Sequence, residues 1–329
     1  MEPIRIVVTD YIEPDLEWER EQLARFPHVT LAYHQLKFAP REELVAAIRD
    51  ADVVLVNMTA MTADLMDELK RCKLIIRHGV GYDNVDVAAA TARGIRVAYE
   101  PDYCTDEVAE HAIALMLAAW RKVFVGRRVL EESSARGRWS FDAIYPIAGL
   151  RGKTLGLVGC GRIGGTVLAR LQSFGFQFLV CDPYLSEERR RQLSARIVDL
   201  DTLLAEADIV SLHAVLNAET RHLIGEAQLR RMKPTAYLVN TARGGLVDAG
   251  ALARALKEGW IAGAAIDVYE KEPPDPDFPL FGCPNALLAP HLGWYSEEAN
   301  WSIREKVLED FVRCIEGRPP RFLINKELA

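Results

Sequence analysis

The chain has 329 residues, half of them hydrophobic, and a net charge of −7. That length suits two domains better than one, each able to bury a core. The negative balance gives no support to a nucleic-acid partner, and the densest cationic stretch, Arg189-Arg190-Arg191, follows two glutamates and reads as a solvated helix face. The apolar run Ala112–Trp120 falls far short of the ~20 residues of a membrane span, so no membrane contact is expected. The opening Met1-Glu2-Pro3-Ile4-Arg5-Ile6 reads as the start of a strand, without the pattern of a secretory leader. The six cysteines include no C-x-x-C pair. They read as reduced thiols in a cytoplasmic protein, and no metal site is expected.

In chain order, Ile4–Asp10, Val29–His34, Asp52–Asn57, Lys73–His78 and Arg96–Tyr99 read as strands. Helical patterns over Pro14–Arg25, Arg41–Arg49 and Val85–Arg93 separate them. Glu100-Pro101-Asp102-Tyr103 leads into a long helix predicted from about Thr105 to Arg128, with a cap and an acidic first turn. Residues 137–150 are irregular, and a second β-α series begins at Arg151. Its strands are Thr154–Val158, Gln177–Cys181, Ile209–His213, Ala236–Asn240, Ala262–Val268 and Ala286–Ala289, and a last helix runs from Ser296 to Glu316. The strands are nearly continuous in Val, Ile, Leu and Ala, as strands covered on both faces must be. The alternation predicts an α/β protein with parallel sheets and helices on both sides.

Strand Thr154–Val158 feeds directly into Gly159-Cys160-Gly161-Arg162-Ile163-Gly164, and a helical pattern leaves it. In that setting the first glycine makes a tight turn, the second admits a pyrophosphate, and the third lets helix and strand pack closely. The helix N-terminus offers unpaired amides and the positive end of its dipole to the phosphates. A second strand ends in Asp182, eighteen residues past the last glycine, placed to accept hydrogen bonds from ribose hydroxyls. A 2′-phosphate would meet a like charge there, so NAD is expected over NADP, although Arg162 offsets part of that preference.

Three polar groups follow later strands: Arg243 after Ala236–Asn240, Glu272 after Ala262–Val268, and His291 after Ala286–Ala289. In open parallel sheets ligands bind outside the carboxyl ends of the strands. Reduction of a 2-keto acid needs a hydride at C2 and a proton at the carbonyl oxygen, and histidine is the usual donor of that proton. Glu272 is expected to favour the charged imidazole and so raise its pKa. Arg243 is expected to grip a carboxylate and polarise the carbonyl.

With these motifs in order, nearly the whole chain resembles the D-isomer-specific 2-hydroxyacid dehydrogenases. Arg77-His78-Gly79-Val80-Gly81-Tyr82-Asp83-Asn84-Val85-Asp86 looks like that family's substrate-carboxylate loop. Glu107-Val108-Ala109-Glu110-His111 looks like the start of its inter-domain helix. The resemblance implies a flavodoxin-like substrate domain, residues 1–101 plus 295–329, interrupted by a Rossmann NAD-binding domain, residues 102–294. It implies cofactor contacts from Thr105, Gly159, Gly161, Arg162, Ile163, Gly164, Asp182, His213, Thr220, Thr241 and Asp267, the last near the nicotinamide carboxamide. It also implies a homodimer through the NAD domain. Residues 291–299, with Trp294, look most like the C-terminal-binding-protein branch. There the tryptophan lines the substrate pocket and the early arginine binds carboxylate. The expected substrate contacts are therefore Arg77, His78, Gly79, Val80, Gly81 and Trp294, where His78 stands in place of an apolar residue and suggests a polar pocket. The alternatives to a 2-keto acid reductase are an NAD-sensing, peptide-binding corepressor scaffold and a phosphoglycerate-dehydrogenase-like enzyme.

Overall fold

The computed structural model describes residues 2–329, with Ala143 described by its backbone only; Met1 lies outside the described residues. The chain divides into two compact units, one of residues 1–104 with 296–329 and the other of residues 105–295.

The first unit alternates strand and helix: β1 (Ile4–Val8), α1 (Glu17–Leu23), β2 (Val29–Tyr33), α2 (Arg41–Ile48), β3 (Val53–Val56), α3 (Ala63–Met66), β4 (Leu74–Arg77), α4 (Val87–Ala92) and β5 (Arg96–Tyr99). Its five strands form one parallel sheet in the order β2-β1-β3-β4-β5. This is the flavodoxin-like order that the resemblance implied. Side chains alternate across the sheet. Leu74 and Ile76 of β4 pack with Leu16 and Phe311 on one face, while Ile75 packs with Ile48 and Val97 on the other.

The second unit begins with α5 (Thr105–Trp120) and α6 (Val123–Ala135). The single helix expected from Thr105 to Arg128 is thus two. Lys122 adopts a left-handed φ of 53°, and two bonds hold the break: Trp120 Nε1 donates to the Ala148 carbonyl at 2.8 Å and Lys122 Nζ to that of Ile144 at 3.0 Å. No Gly or Pro marks the break, because partners distant in sequence make it. The remaining elements are β6 (Thr154–Val158), α7 (Arg162–Leu171), β7 (Gln177–Cys181), α8 (Glu187–Gln192), β8 (Arg196–Ile197), α9 (Leu200–Glu206), β9 (Ile209–Leu212), α10 (Glu226–Arg231), β10 (Tyr237–Asn240), α11 (Ala249–Glu258), β11 (Gly263–Ile266) and β12 (Ala286–Leu288). The two-residue β8 was not anticipated; it is too short to carry an apolar pattern. The seven strands lie in the order β12-β11-β10-β9-β6-β7-β8, all parallel. Helices α9–α11 cover one face and α5 with α7 the other.

The chain ends in the first unit with α12 (Glu297–Ile315), capped by Ser296, whose hydroxyl accepts the Ala299 amide, and stopped at Gly317, φ 72°. Its buried Ile303, Val307 and Phe311 close the β1-β3-β4 face. Among the described residues no helix is long and apolar enough to cross a membrane. The six cysteines are free thiols.

Candidate active site and cofactor site

In the second unit the strand order reverses beside β6, between β7 on one side and β9 on the other. Such a switch point leaves a crevice at the carboxyl ends of the strands. Gly159, φ 88°, makes the turn out of β6, and a Cβ there would sit 2.8 Å from the His213 carbonyl carbon. A Cβ on Gly164 would strike the Gly159 carbonyl oxygen, so helix α7 starts against the loop. Gly161, by contrast, has no heavy atom within 4 Å of that position, and the α7 N-terminus has no side-chain cap. Arg162 is exposed and Ile163 half-buried at the first turn of α7.

Asp182 follows β7. Its Oδ2 accepts the Cys160 amide at 2.9 Å and its Oδ1 the Tyr184 amide at 3.0 Å, which ties it to the glycine turn. Each oxygen keeps a further lone pair for a ribose hydroxyl. His213 follows β9, with Nε2 3.0 Å from Ser211 Oγ, and burial pushes its pKa down to about 4, so the ring is neutral. The Thr105 and Thr241 hydroxyl oxygens are buried without a hydrogen-bond partner. An open glycine turn, uncapped helix amides and two such hydroxyls fit a dinucleotide. Thr220 is placed differently from expectation: its hydroxyl donates to the Val215 carbonyl at 2.7 Å and accepts the Asn217 amide at 2.9 Å, closing its own turn.

The three later strands deliver the polar trio to the same edge. After β10, buried Asn240 accepts the Ala242 amide at 3.1 Å and donates to the Arg243 carbonyl at 2.9 Å. The turn carrying Arg243 is thereby fixed. After β12, His291 sits at φ 58° with Nδ1 2.8 and 2.7 Å from the two carboxylate oxygens of Glu272. The Tyr269 amide also donates to Glu272 Oε1, at 3.0 Å. Burial alone would raise the Glu272 pKa. The His291 hydrogen bond and charge, the Tyr269 amide and the Arg243 guanidinium outweigh it and hold the carboxyl below its ordinary range. The Tyr269 hydroxyl donates to the Ala289 carbonyl at 2.8 Å, linking the Glu272 and His291 segments.

Asp267 faces inward, 1% exposed. Its oxygens accept the amides of Leu292 and Gly293 at 3.0 and 2.9 Å, and His111 Nε2 lies 3.2 Å from Oδ1. Burial raises its pKa, while His111 and the two amides bring the net shift below the ordinary range. Its observed work is to anchor the loop carrying His291. Trp294 is half-buried, its ring edge-on to Tyr295 at 5.2 Å. Asn240 and Tyr269 were not singled out in the sequence. A buried amide side chain at a strand end and a tyrosine between two candidate residues are weak signals, since their roles depend on partners elsewhere.

In the first unit Arg77 ends β4, and its Nη1 donates to the His78 carbonyl at 2.7 Å. The guanidinium lies across Gly79, φ 144°, where any Cβ would collide with it. Val80 and Gly81 follow, half-buried. The expectation for His78 needs correction. Two residues beyond Ile76, it continues the β4 face that packs against α12, and its side chain is 5% exposed, with Nε2 3.3 Å from Glu13 Oε1. The ring points into the unit's interior, so it does not give the loop a polar lining.

Residues 113–293, more than half of the chain, match the model of the D-isomer-specific 2-hydroxyacid dehydrogenase NAD-binding domain. The chain is 43% identical over 305 residues to the glyoxylate reductase of Thermofilum pendens, covering 90% of this chain and 88% of that one. It is 42% identical over 286 residues to the D-3-phosphoglycerate dehydrogenase of Archaeoglobus fulgidus, covering 87% of this chain and 53% of that longer one. The structure of a glyoxylate reductase from Paecilomyes thermophila superposes with a TM-score of 0.87 at 31% identity, covering 99% of this chain and all of that one. The dinucleotide turn, the paired acid and histidine and these likenesses lead to one conclusion. The chain belongs to the D-isomer-specific 2-hydroxyacid dehydrogenases, NAD-dependent oxidoreductases that interconvert 2-keto and D-2-hydroxy acids by hydride transfer.

Proposed function

We propose that this enzyme reduces a small 2-keto acid of the glyoxylate class, with His291 as general acid/base, Glu272 as its orienting carboxylate and Arg243 binding the substrate's carboxylate and carbonyl. The observation that carries the reading is the His291–Glu272 pair, with both oxygens within 2.8 Å of Nδ1 and the Arg243 charge acting on the same carboxylate. Nδ1 donating to Glu272 fixes the ring and leaves Nε2 to exchange the proton. NADH, when bound, supplies the hydride to C2. As the carbonyl π bond breaks, its electron pair moves to oxygen, and the His291 Nε2 proton goes there. Arg243 stabilises the charge growing on that oxygen, a preorganised electrostatic contribution. Gly159, Gly161 and Gly164 with the α7 amides are assigned to the pyrophosphate, Asp182 to the ribose, and Thr105 and Thr241 to the rest of the cofactor. Arg77 with Gly79-Val80-Gly81 is assigned to the substrate carboxylate, and Trp294 to the substrate's apolar side. The two curated relatives named glyoxylate reductase and D-3-phosphoglycerate dehydrogenase favour a small acid over a peptide ligand.

The test is NADH oxidation against a panel of 2-keto acids, with the wild type and His291→Gln. Glyoxylate turnover should fall by about 10²- to 10⁴-fold in the variant while NADH binding persists. Near-normal turnover would remove His291 from the mechanism. Inactivity across the panel with NADH still bound would favour the corepressor-type scaffold of the C-terminal-binding-protein branch, suggested by residues 291–299.

We also propose a homodimer through the second unit. The exposed apolar side chains Val123, Leu130, Trp139, Phe141 and Tyr145 on and after α6 support it, since exposed apolar surface favours association. Sedimentation should give twice the chain mass, and a monomer at micromolar concentration would contradict this.

A further inference from the structure

The first unit buries a carboxylate–imidazole pair that the proposed chemistry does not use. Glu13 is 5% exposed, in the loop after β1, and His78 is 6% exposed, just after β4. They meet at 3.3 Å inside a small cavity walled by Val8, Leu16, Leu55 and Phe311. Glu13 Oε2 accepts the Ile12 amide at 3.0 Å, so the carboxylate is fixed to its own loop. A carboxylate in such surroundings is costly unless paired; the imidazole is its nearest partner, and Arg304, which also lines the cavity, is itself bound to Glu19 at 2.6 Å.

The His78 backbone shows what the pair holds. Its amide donates to the Val56 carbonyl at 2.8 Å, and its carbonyl accepts Arg77 Nη1 at 2.7 Å. The Gly79 amide returns to the Arg77 carbonyl at 2.9 Å, and the Glu100 amide donates to the Gly79 carbonyl at 3.1 Å. The His78 residue therefore has its ring on Glu13 and its carbonyl on the Arg77 guanidinium. Held at both ends, the residue cannot shift as a body without breaking one of the two contacts. A neighbouring carboxylate secures the loop after β3 in the same manner: Asp10 accepts the amides of Asn57, Met58 and Thr59 at 3.2, 2.6 and 3.3 Å.

We propose that Glu13 and His78 are positioning residues for the substrate turn: their buried contact fixes the His78 carbonyl, which holds the Arg77 guanidinium in the geometry that receives a substrate carboxylate. The proposal rests on the reading of Arg77 as the carboxylate-binding residue. It also accounts for a histidine where the family resemblance suggests an apolar side chain.

Steady-state kinetics with NADH and glyoxylate on Glu13→Gln, His78→Leu, the double Glu13→Leu/His78→Leu and Arg77→Ala test it. Both single variants should raise KM for glyoxylate about tenfold, with kcat within about threefold and KM for NADH unchanged. The double variant replaces the pair by apolar side chains, so it should melt near the wild-type temperature. It should nevertheless keep the raised KM, which a purely structural role would not. A wild-type KM in the double variant, with Arg77→Ala raising KM, overturns the positioning role. An unchanged KM in Arg77→Ala overturns the reading of Arg77 itself.

Discussion

Gly244 follows Arg243 in the turn after β10, and nothing in its backbone conformation requires glycine. Its surroundings do. A Cβ at this position would lie inside 3.0 Å of the Tyr269 carbonyl carbon and oxygen and of the Glu270 amide nitrogen, all backbone atoms. Carbon atoms in contact settle at about 3.5–4.0 Å, so Gly244→Ala demands a backbone displacement on the order of 1 Å. Neither side can yield without moving the site. The Tyr269 amide holds Glu272 Oε1, and its hydroxyl holds the Ala289 carbonyl two residues before His291. The other side of the contact carries Arg243 itself, tied to Asn240. A shift of about 1 Å in a catalytic group costs about 10²-fold in rate, or about 2.7 kcal/mol. Overpacking adds about 1–3 kcal/mol of destabilisation. The expected outcome for Gly244→Ala is a kcat/KM for glyoxylate about 100-fold lower and a reduced melting temperature, with NADH affinity within about threefold because the glycine turn after β6 is untouched. Wild-type kcat/KM in a folded Gly244→Ala protein would show that the 243–246 and 269–272 segments are not mechanically coupled, and the reasoning would fail.

Asp182→Ala removes the acceptor assigned to the ribose and also leaves the Cys160 and Tyr184 amides unpaired. NAD affinity should fall by roughly 10- to 100-fold, as for loss of a hydrogen bond to a charged group, and NADP should gain relative to NAD. An unchanged ratio of kcat/KM between the two cofactors would show that Asp182 does not read the ribose. Glu13 supplies a pH prediction. Burial raises its pKa, but His78, 3.3 Å away, with the local amides brings it from 4.5 to about 2. The folded value lies below the unfolded one, so its stabilisation is complete above about pH 4.5 and is lost as pH falls toward about 2. The difference amounts to about 3 kcal/mol in full, and part of it disappears between pH 6 and pH 3.5. Denaturant unfolding should therefore show a shallower acid decline for Glu13→Gln than for wild type over that window. Equal slopes would exclude Glu13 as a source of the decline.

Much of this enzyme was legible in the chain because the relevant signals are local. Strands covered on both faces need unbroken apolar runs, so the strand positions followed from composition alone, and β1 to β7 differ from expectation only at their ends. The glycine spacing at 159–164 has a backbone reason at each position, and Asp182 follows at the distance that one helix and one strand impose. The order of Arg243, Glu272 and His291 after successive strands placed them at one edge before any distance was known.

Partners distant in sequence decided the rest. The helix break at Lys122 depends on carbonyls of Ile144 and Ala148, and no residue in the break announces it. Asp267 reads as a loop acid that could face a cofactor; the fold wraps residues 292 and 293 around it, so its charge is spent on the loop that carries His291. His78 follows Arg77 in a motif that draws attention to substrate, yet period-two alternation along β4 sends adjacent side chains to opposite faces. Which residues stand at the strand ends could be read from the chain, because local patterns set it. The way each one faces was set by packing between distant segments, because a side chain's direction acquires chemical meaning from what lies opposite it.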